Sequence, residues 1–219
     1  MKYPRSISRP AAILATLALI FTASCQLEVP MKEMVTAKTS IEKARAVDAE
    51  KYSPEELKKA EELLIQSHAL LAEKKDKEAK KAAEDSIAAA AAAENKALPS
   101  YADAHIEAAE AEYQEADRAF AERFSPEKFT KAGSLNAEAK QSFDNQDFRK
   151  SADLADQAYA MAVEAKNEAL MNSSVIQNQI NNLDTRYNNL KKDKFSSSAN
   201  DNLAKAGTAI SAARTGLAN

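Results

Sequence analysis

The chain has 219 residues, with three Gly, six Pro and no Trp, and its formal net charge is −3. Ala, Glu, Lys and Leu, all strong helix formers, are abundant, which predicts an all-α protein. No cluster of Lys and Arg is interleaved with aromatic residues, so nucleic acid is not an expected partner.

The N-terminal segment has the pattern of an export signal. Lys2, Arg5 and Arg9 are followed by an apolar stretch at 11–21 and by small residues at 22–24. The apolar stretch is shorter than the roughly 20 residues that a membrane-spanning helix needs. We therefore expect this segment to be removed after export.

Cys25, the only cysteine, directly follows the small residues, and the stretch TASC at 22–25 resembles the lipobox of bacterial lipoproteins. The resemblance implies a signal peptide at 1–24, cleavage before Cys25, and acyl chains such as palmitate on that residue. Several acyl chains bind a membrane firmly. Gln26 favours the outer membrane, with the protein facing the periplasm or exposed at the cell surface. An ordinary secretory signal beside a free thiol is the alternative.

Residues 25–35 are predicted to be a short lipidated tether, and helical spacing begins within it. The first apolar residues with a spacing of three or four are Met31, Met34, Ala37, Ile41 and Ala44. The folded body should therefore begin close to the membrane surface.

The clearest internal repeat is Ser-Pro-Glu, which occurs at 53–55 and again at 125–127. The same shift relates Asn95–Leu98 to Asn167–Leu170, and it predicts a duplication. The predicted segments are helical repeat 1 at 36–100, helical repeat 2 at 101–172, and a degenerate, truncated repeat 3 at 173–219 that acts as a C-terminal cap.

Each Ser-Pro-Glu is interpreted as a helix start and not as a catalytic site. A serine at the N-cap can accept hydrogen bonds from backbone amides, and a proline fits the first helical position. Apolar residues on either side are spaced to form hydrophobic staples, so Tyr52 and Phe124 should be largely buried. The predicted cap motif comprises Tyr52, Ser53, Pro54, Leu57, Phe124, Ser125, Pro126 and Phe129.

After each start, apolar residues keep a helical spacing. The predicted core-facing stripes are Leu57, Ala60, Leu64, Ser67 and Leu71; Phe129, Ala132, Asn136, Ala139 and Phe143; and Leu203, Ala206, Ile210, Ala213 and Leu217. Pro99 is predicted to end the Ala-rich helix that follows the first stripe, with Ser100 and Asp103 able to cap the next helix. The chain should form about six or seven helices of roughly 20 residues, as antiparallel hairpins in a tetratricopeptide-like solenoid or an elongated bundle.

Two further patterns each have two interpretations. The alanines within 87–98 indicate either a close helix–helix seam, which we favour, or a strong helix former with modest burial. A C-terminal stripe with coiled-coil spacing is expected to pack within the chain more readily than on another subunit. The residues of this stripe are Ile176, Ile180, Leu183, Tyr187 and Leu190.

One set of residues carries a resemblance to a known family: Tyr52, Pro54, Glu56, Leu57, Ala60, Leu63, Ala79, Ala82 and Ala83. This pattern resembles an uncharacterised family of bacterial envelope lipoproteins, domain of unknown function 4398. Its second half is also similar to the small-residue helix of a tetratricopeptide hairpin. The resemblance covers residues 37–98 best and implies no established activity, although some members resemble parts of proteins that also contain a peptidoglycan-binding domain.

The sequence indicates no catalytic, cofactor or metal site. His68 and His105 have no second His or Cys at ligand spacing, and no metalloprotease, phosphate-loop or nucleophile-elbow motif is present. The carboxylates at 107–115 alternate with alanine and are expected to form a solvated helix face.

These patterns predict a non-enzymatic, membrane-anchored envelope lipoprotein that acts as a scaffold or adaptor for other envelope proteins. The expected partners are the membrane, through the N-terminal acyl chains, and other envelope proteins. The alternative is a structural spacer or a peptidoglycan-associated envelope protein. The binding face and the oligomeric state do not follow from the sequence.

Overall fold

A computed structural model describes residues 30–193 and 197–218. Every regular element in these two ranges is a helix, which confirms the all-α prediction. The helices pack antiparallel to their neighbours. Their bounds are α1 Met31–Arg45, α2 Ala49–Tyr52, α3 Pro54–Ala72, α4 Asp76–Arg118, α5 Ala121–Phe124, α6 Pro126–Asp144, α7 Phe148–Leu190 and α8 Ser197–Ala218.

Two helices are about twice as long as predicted. α4 and α7 each contain 43 residues, and α4 continues through Pro99, so the prediction that Pro99 ends a helix is wrong. A proline inside a helix costs about 3 kcal/mol because it removes one backbone hydrogen bond. Ala97 and Ala102 on either side of Pro99 are fully buried, and this packing holds the backbone helical across the break.

The described chain divides into two compact units. The first contains residues 30–46 and 54–93, which are α1, α3 and the first part of α4. The faces predicted to be buried are buried, as shown by Met34, Ala37 and Ile41 on α1 and by Leu57 and Ala60 on α3. Met31 is the exception, since 56% of its surface is exposed.

The seam between α3 and α4 in the first unit is built from small residues. Ala79, Ala83 and Ala90 are fully buried, in agreement with the seam interpretation. Ser67 donates its hydroxyl to the carbonyl oxygen of Ala79 at 2.7 Å, and Ser86 donates to the carbonyl oxygen of Ala60 at the same distance. Because a serine side chain is short, these bonds require that the two helix backbones approach closely.

The second unit contains residues 47–53, 94–193 and 197–218. Its core lies between the second part of α4, α6 and the first half of α7. Large side chains from α4 and α6, such as Ile106, Leu135 and Phe129, pack against an alanine stripe on α7. This stripe comprises Ala155, Ala158, Ala162, Ala165 and Ala169, all fully buried.

The stripe predicted to face a core on α8 is more open than expected. Leu203, Ile210 and Leu217 are only half-buried, and Ala206 and Ala213 are exposed. The difference arises because α8 packs on α7 alone among the described helices, whereas α6 also contacts α5.

Backbone features recur with the shift of the sequence repeat. The bounds of α2, α3 and α4 reappear at the same shift as α5, α6 and α7. Within the described ranges, four non-glycine residues adopt the left-handed conformation, and they form two pairs related by this shift: Asp48 (φ 54°) with Phe120 (φ 58°), and Lys74 (φ 61°) with Gln146 (φ 62°). The predicted repeat boundaries themselves stay a prediction.

Candidate interaction groove

A shallow groove runs along the first unit between α3 and the first part of α4. Two neighbouring cavities of about 340 and 390 Å³ share Leu63 and Asp85, and together they form the groove. The residues that line it are Lys59, Leu63, Gln66 and Leu70 from α3 and Glu78, Lys81, Ala82, Asp85, Ala88, Ala89 and Ala92 from α4.

The groove exists because side-chain size differs across the two helices. Leu63 and Leu70 lie beside the buried face of α3 and remain partly exposed. The α4 side presents alanines at 88, 89 and 92, whose single methyl groups leave room above the helix backbone. The floor is therefore apolar, and one side of it is backbone-like in profile.

Charged side chains of both signs border this floor. Lys81 donates to both carboxylate oxygens of Asp85 at 3.2 Å, and Lys59 and Glu78 line the same cavities. The lining residues include no His, Cys, Ser or Tyr, which are the usual nucleophiles and bases besides carboxylates. An apolar floor with charged edges suits an apolar side chain of a peptide or helix whose flanks are charged.

The predicted lipid-attachment residue Cys25 lies outside the described residues. Its acylation, and the signal peptide before it, stay predictions.

The Ser-Pro-Glu motifs stand at helix starts, as predicted. Pro54 is the first residue of α3 and Pro126 the first residue of α6, with Ser53 and Ser125 directly before them. The side-chain cap predicted for Ser125 is wrong, however. Its hydroxyl makes no capping bond and donates instead to Glu168 Oε2 at 2.8 Å, because α7 brings that carboxylate next to the helix start.

The hydrophobic staples are less buried at their first residue than predicted. Leu57 and Phe129 are buried, and Phe129 stacks on Tyr113 with 4.4 Å between ring centroids. Tyr52 and Phe124 are only partly buried, which corrects the expectation that both are largely buried. The hydroxyl of Tyr52 accepts a hydrogen bond from Lys51 at 2.9 Å and stays at the surface for that reason.

The contact between α6 and α7 includes a charged network that the sequence did not indicate. Lys128 lies 3.2 Å from Glu164 and 3.3 Å from Glu168. The hydrogen bond from Ser125 and the charge of Lys128 lower the pKa of Glu168, and the two carboxylates raise the pKa of Lys128. Ser125 and Glu168 are 43 residues apart, so only the folded chain brings them together.

The histidines show no ligand arrangement. His105 Nδ1 lies 2.5 Å from Asp156 Oδ1 and its ring is 4.2 Å from that of Tyr101, whereas His68 is exposed on α3. Within the described ranges, no three His, Cys, Asp or Glu side chains form a group that could hold a metal ion. Likewise, none of the described helices combines the length and the hydropathy that crossing a membrane requires.

Comparison with known proteins adds no assignment. A scan against protein-family models and searches of curated proteins and of solved structures found no match to this chain.

Proposed function

We propose that this chain is a non-catalytic lipoprotein of the bacterial outer envelope that serves as a scaffold or adaptor for other envelope proteins. Cys25 carries the acyl chains that bind the membrane, and the groove between α3 and α4 binds a segment of a partner protein. The observation that carries the proposal is this groove, whose apolar floor and mixed charged edges suit a peptide or a helix.

We further propose that the body consists of tandem tetratricopeptide-like helical hairpins related to the lipoprotein family named above. The recurrence of helix bounds and of left-handed residues at one constant shift supports a duplication. Helical repeats bind partners through the concave surfaces between their helices, which fits the position of the groove.

Lipid anchorage can be tested separately from partner binding. Cells that express the protein are labelled with palmitate and treated with globomycin, which inhibits the lipoprotein signal peptidase. The wild-type chain should take up label and accumulate as an unprocessed form under the inhibitor. A Cys25→Ser chain that remains membrane-bound would contradict the anchor.

The adaptor role is tested by crosslinking in intact cells. We expect a stoichiometric protein partner with the wild-type chain and its loss with Leu63→Asp, because a carboxylate would stand on the apolar floor. Ile65→Asp is the matched control, since Ile65 is on the same helix, is 69% exposed and does not line the groove. Recovery of peptidoglycan fragments without a protein partner would instead favour the spacer or peptidoglycan-associated alternative.

A further inference from the structure

The C-terminal hairpin, formed by residues 171–190 of α7 and by α8, has an open apolar face. Leu183 and Leu190 are 49% and 47% exposed. A cavity of about 310 Å³ lies on this face, and its lining residues are Leu190, Ala199, Asn202, Leu203 and Ala206. All of these residues belong to the second unit.

The second unit also contains a closely similar hairpin earlier in the chain, here called the middle hairpin: residues 101–118 of α4 together with α6. In the middle hairpin the hydroxyl of Tyr113 lies close to Gly133, and in the C-terminal hairpin the hydroxyl of Tyr187 lies close to Gly207. Both tyrosine–glycine pairs bring two helices together at the same relative position.

An ion pair repeats with the same shift. Lys140 lies 2.9 Å from Glu110 in the middle hairpin, and Arg214 lies 3.1 Å from Asp184 in the C-terminal hairpin. The two hairpins therefore correspond residue by residue at one constant shift, so the surroundings of one can be compared with those of the other.

The hairpins differ in what covers them. In the middle hairpin Ala116, Phe129 and Ala132 are buried in one cluster with Ala162, Ala165 and Ala169 of α7. Their counterparts in the C-terminal hairpin are Leu190, Leu203 and Ala206, which line the cavity instead. In the described part of the chain nothing takes the place of the α7 alanines over the C-terminal hairpin, and Leu190 and Ala206 are exposed.

We propose that a second copy of this chain covers the open face, so that two C-terminal hairpins form an antiparallel four-helix interface. α8 has its own stripe of small residues at a spacing of three and four: Ala199, Asn202, Ala206, Ala209 and Ala213. The covering helix α7 runs antiparallel to α6, and α8 of a copy related by a two-fold axis also runs antiparallel to α8. One helix thus supplies part of the groove and the stripe that fills it, as an isologous interface requires.

The available area is sufficient for such a contact. Two adjacent helices, each about 10 Å wide and about 30 Å long, present about 600 Å² per copy. Two copies then bury about 1,200 Å² in total, which is within the range of specific protein interfaces. This contact uses the second unit and does not depend on the groove of the first unit or on the adaptor role.

The test is the mass of the full chain in detergent solution, measured by light scattering over a concentration series. The wild-type chain should have twice the mass of one copy. Ala206→Glu places a carboxylate in the stripe and should weaken association at least about tenfold, with an unchanged helical circular dichroism spectrum. Ala204→Glu is the matched control, because Ala204 is exposed on the same helix outside the stripe and should leave the mass doubled.

Cysteine crosslinking gives a second, independent readout. Ala209→Cys should form a covalent dimer, whereas Ala137→Cys, at an exposed position of α6, should not exceed the background of the unsubstituted chain with its single Cys25. A single-copy mass at all concentrations, a dimer that Ala206→Glu does not weaken, or crosslinking of Ala209→Cys to a different protein in cells would each overturn the proposal. If Ala206→Glu does not fold, the crosslinking comparison decides alone.

Discussion

Ser151 donates its hydroxyl to the carbonyl oxygen of Ala139 at 2.9 Å, so α7 bonds to α6 by the same device that joins α4 to α3. At the shift of the sequence repeat, these two residues correspond to Ala79 and Ser67, between which the same bond runs in the opposite direction. The serine has therefore changed helix between the two pairs, while the interhelical hydrogen bond has been kept.

This exchange predicts a compensating double substitution. Ser67→Ala should lower the free energy of unfolding by about 1 kcal/mol, because a buried hydrogen bond is lost. Adding Ala79→Ser should restore most of that loss, since it recreates the arrangement of Ser151 and Ala139. Urea unfolding of the single and double variants measures both values.

Ser134→Ala is the control for this series, because Ser134 is an exposed serine in the middle of α6 and should contribute little. An effect of Ser134→Ala as large as that of Ser67→Ala, or a double variant less stable than Ser67→Ala alone, would contradict the explanation.

The three glycines predict a graded series of Gly→Ala effects. A methyl group on Gly207 would lie 2.5 Å from the hydroxyl oxygen of Tyr187, one on Gly133 would lie 3.1 Å from that of Tyr113, and one on Gly216 would meet nothing within 4 Å. Alanine is favoured over glycine in a helix by about 1 kcal/mol. Thermal unfolding should show Gly216→Ala stabilised, Gly133→Ala near neutral and Gly207→Ala destabilised. Equal effects at 207 and 216 would exclude the tyrosine contact as the cause.

Pro99 predicts a gain in stability on substitution. Pro99→Ala restores a backbone donor inside α4 and should raise the free energy of unfolding by up to about 3 kcal/mol. Pro126→Ala should change it little, because Pro126 is the first residue of α6, where no helical partner exists for an amide. Differential scanning calorimetry of the two variants tests this, and a lower melting temperature for Pro99→Ala would count against it.

Glu168 predicts a loss of stability in acid. Its pKa is lowered from the ordinary value of 4.5, so the folded state favours the carboxylate. The resulting stabilisation is present above pH 4.5 and is lost as the pH falls through the lowered pKa. Ser125→Ala should raise the pKa of Glu168 towards 4.5, as followed by NMR titration. The stability difference between Ser125→Ala and the wild type should then shrink in acid, and a difference that is constant with pH would refute the link.

Features encoded by local spacing could be read from the sequence. Three-and-four spacing identified the buried faces of α1 and α3, and the Ser-Pro-Glu motifs identified the starts of α3 and α6. Features decided by distant residues could not. The hydroxyl of Ser125 is taken by Glu168, and α4 continues through Pro99 because buried alanines flank it. The groove beside Leu63 likewise depends on which residues of α4 lie opposite, and helix spacing alone does not give that register.

Glycine and left-handed backbone are separated in this protein. All three glycines lie within helices, while Asp48, Lys74, Phe120 and Gln146 have positive φ. A left-handed conformation costs an ordinary residue roughly 1–2 kcal/mol, so these reversals have little local preference to form. Each reversal must therefore arise together with the packing of the helices that it joins. The corners are then results of hairpin assembly during folding and not its starting points, and an isolated corner peptide should not adopt them.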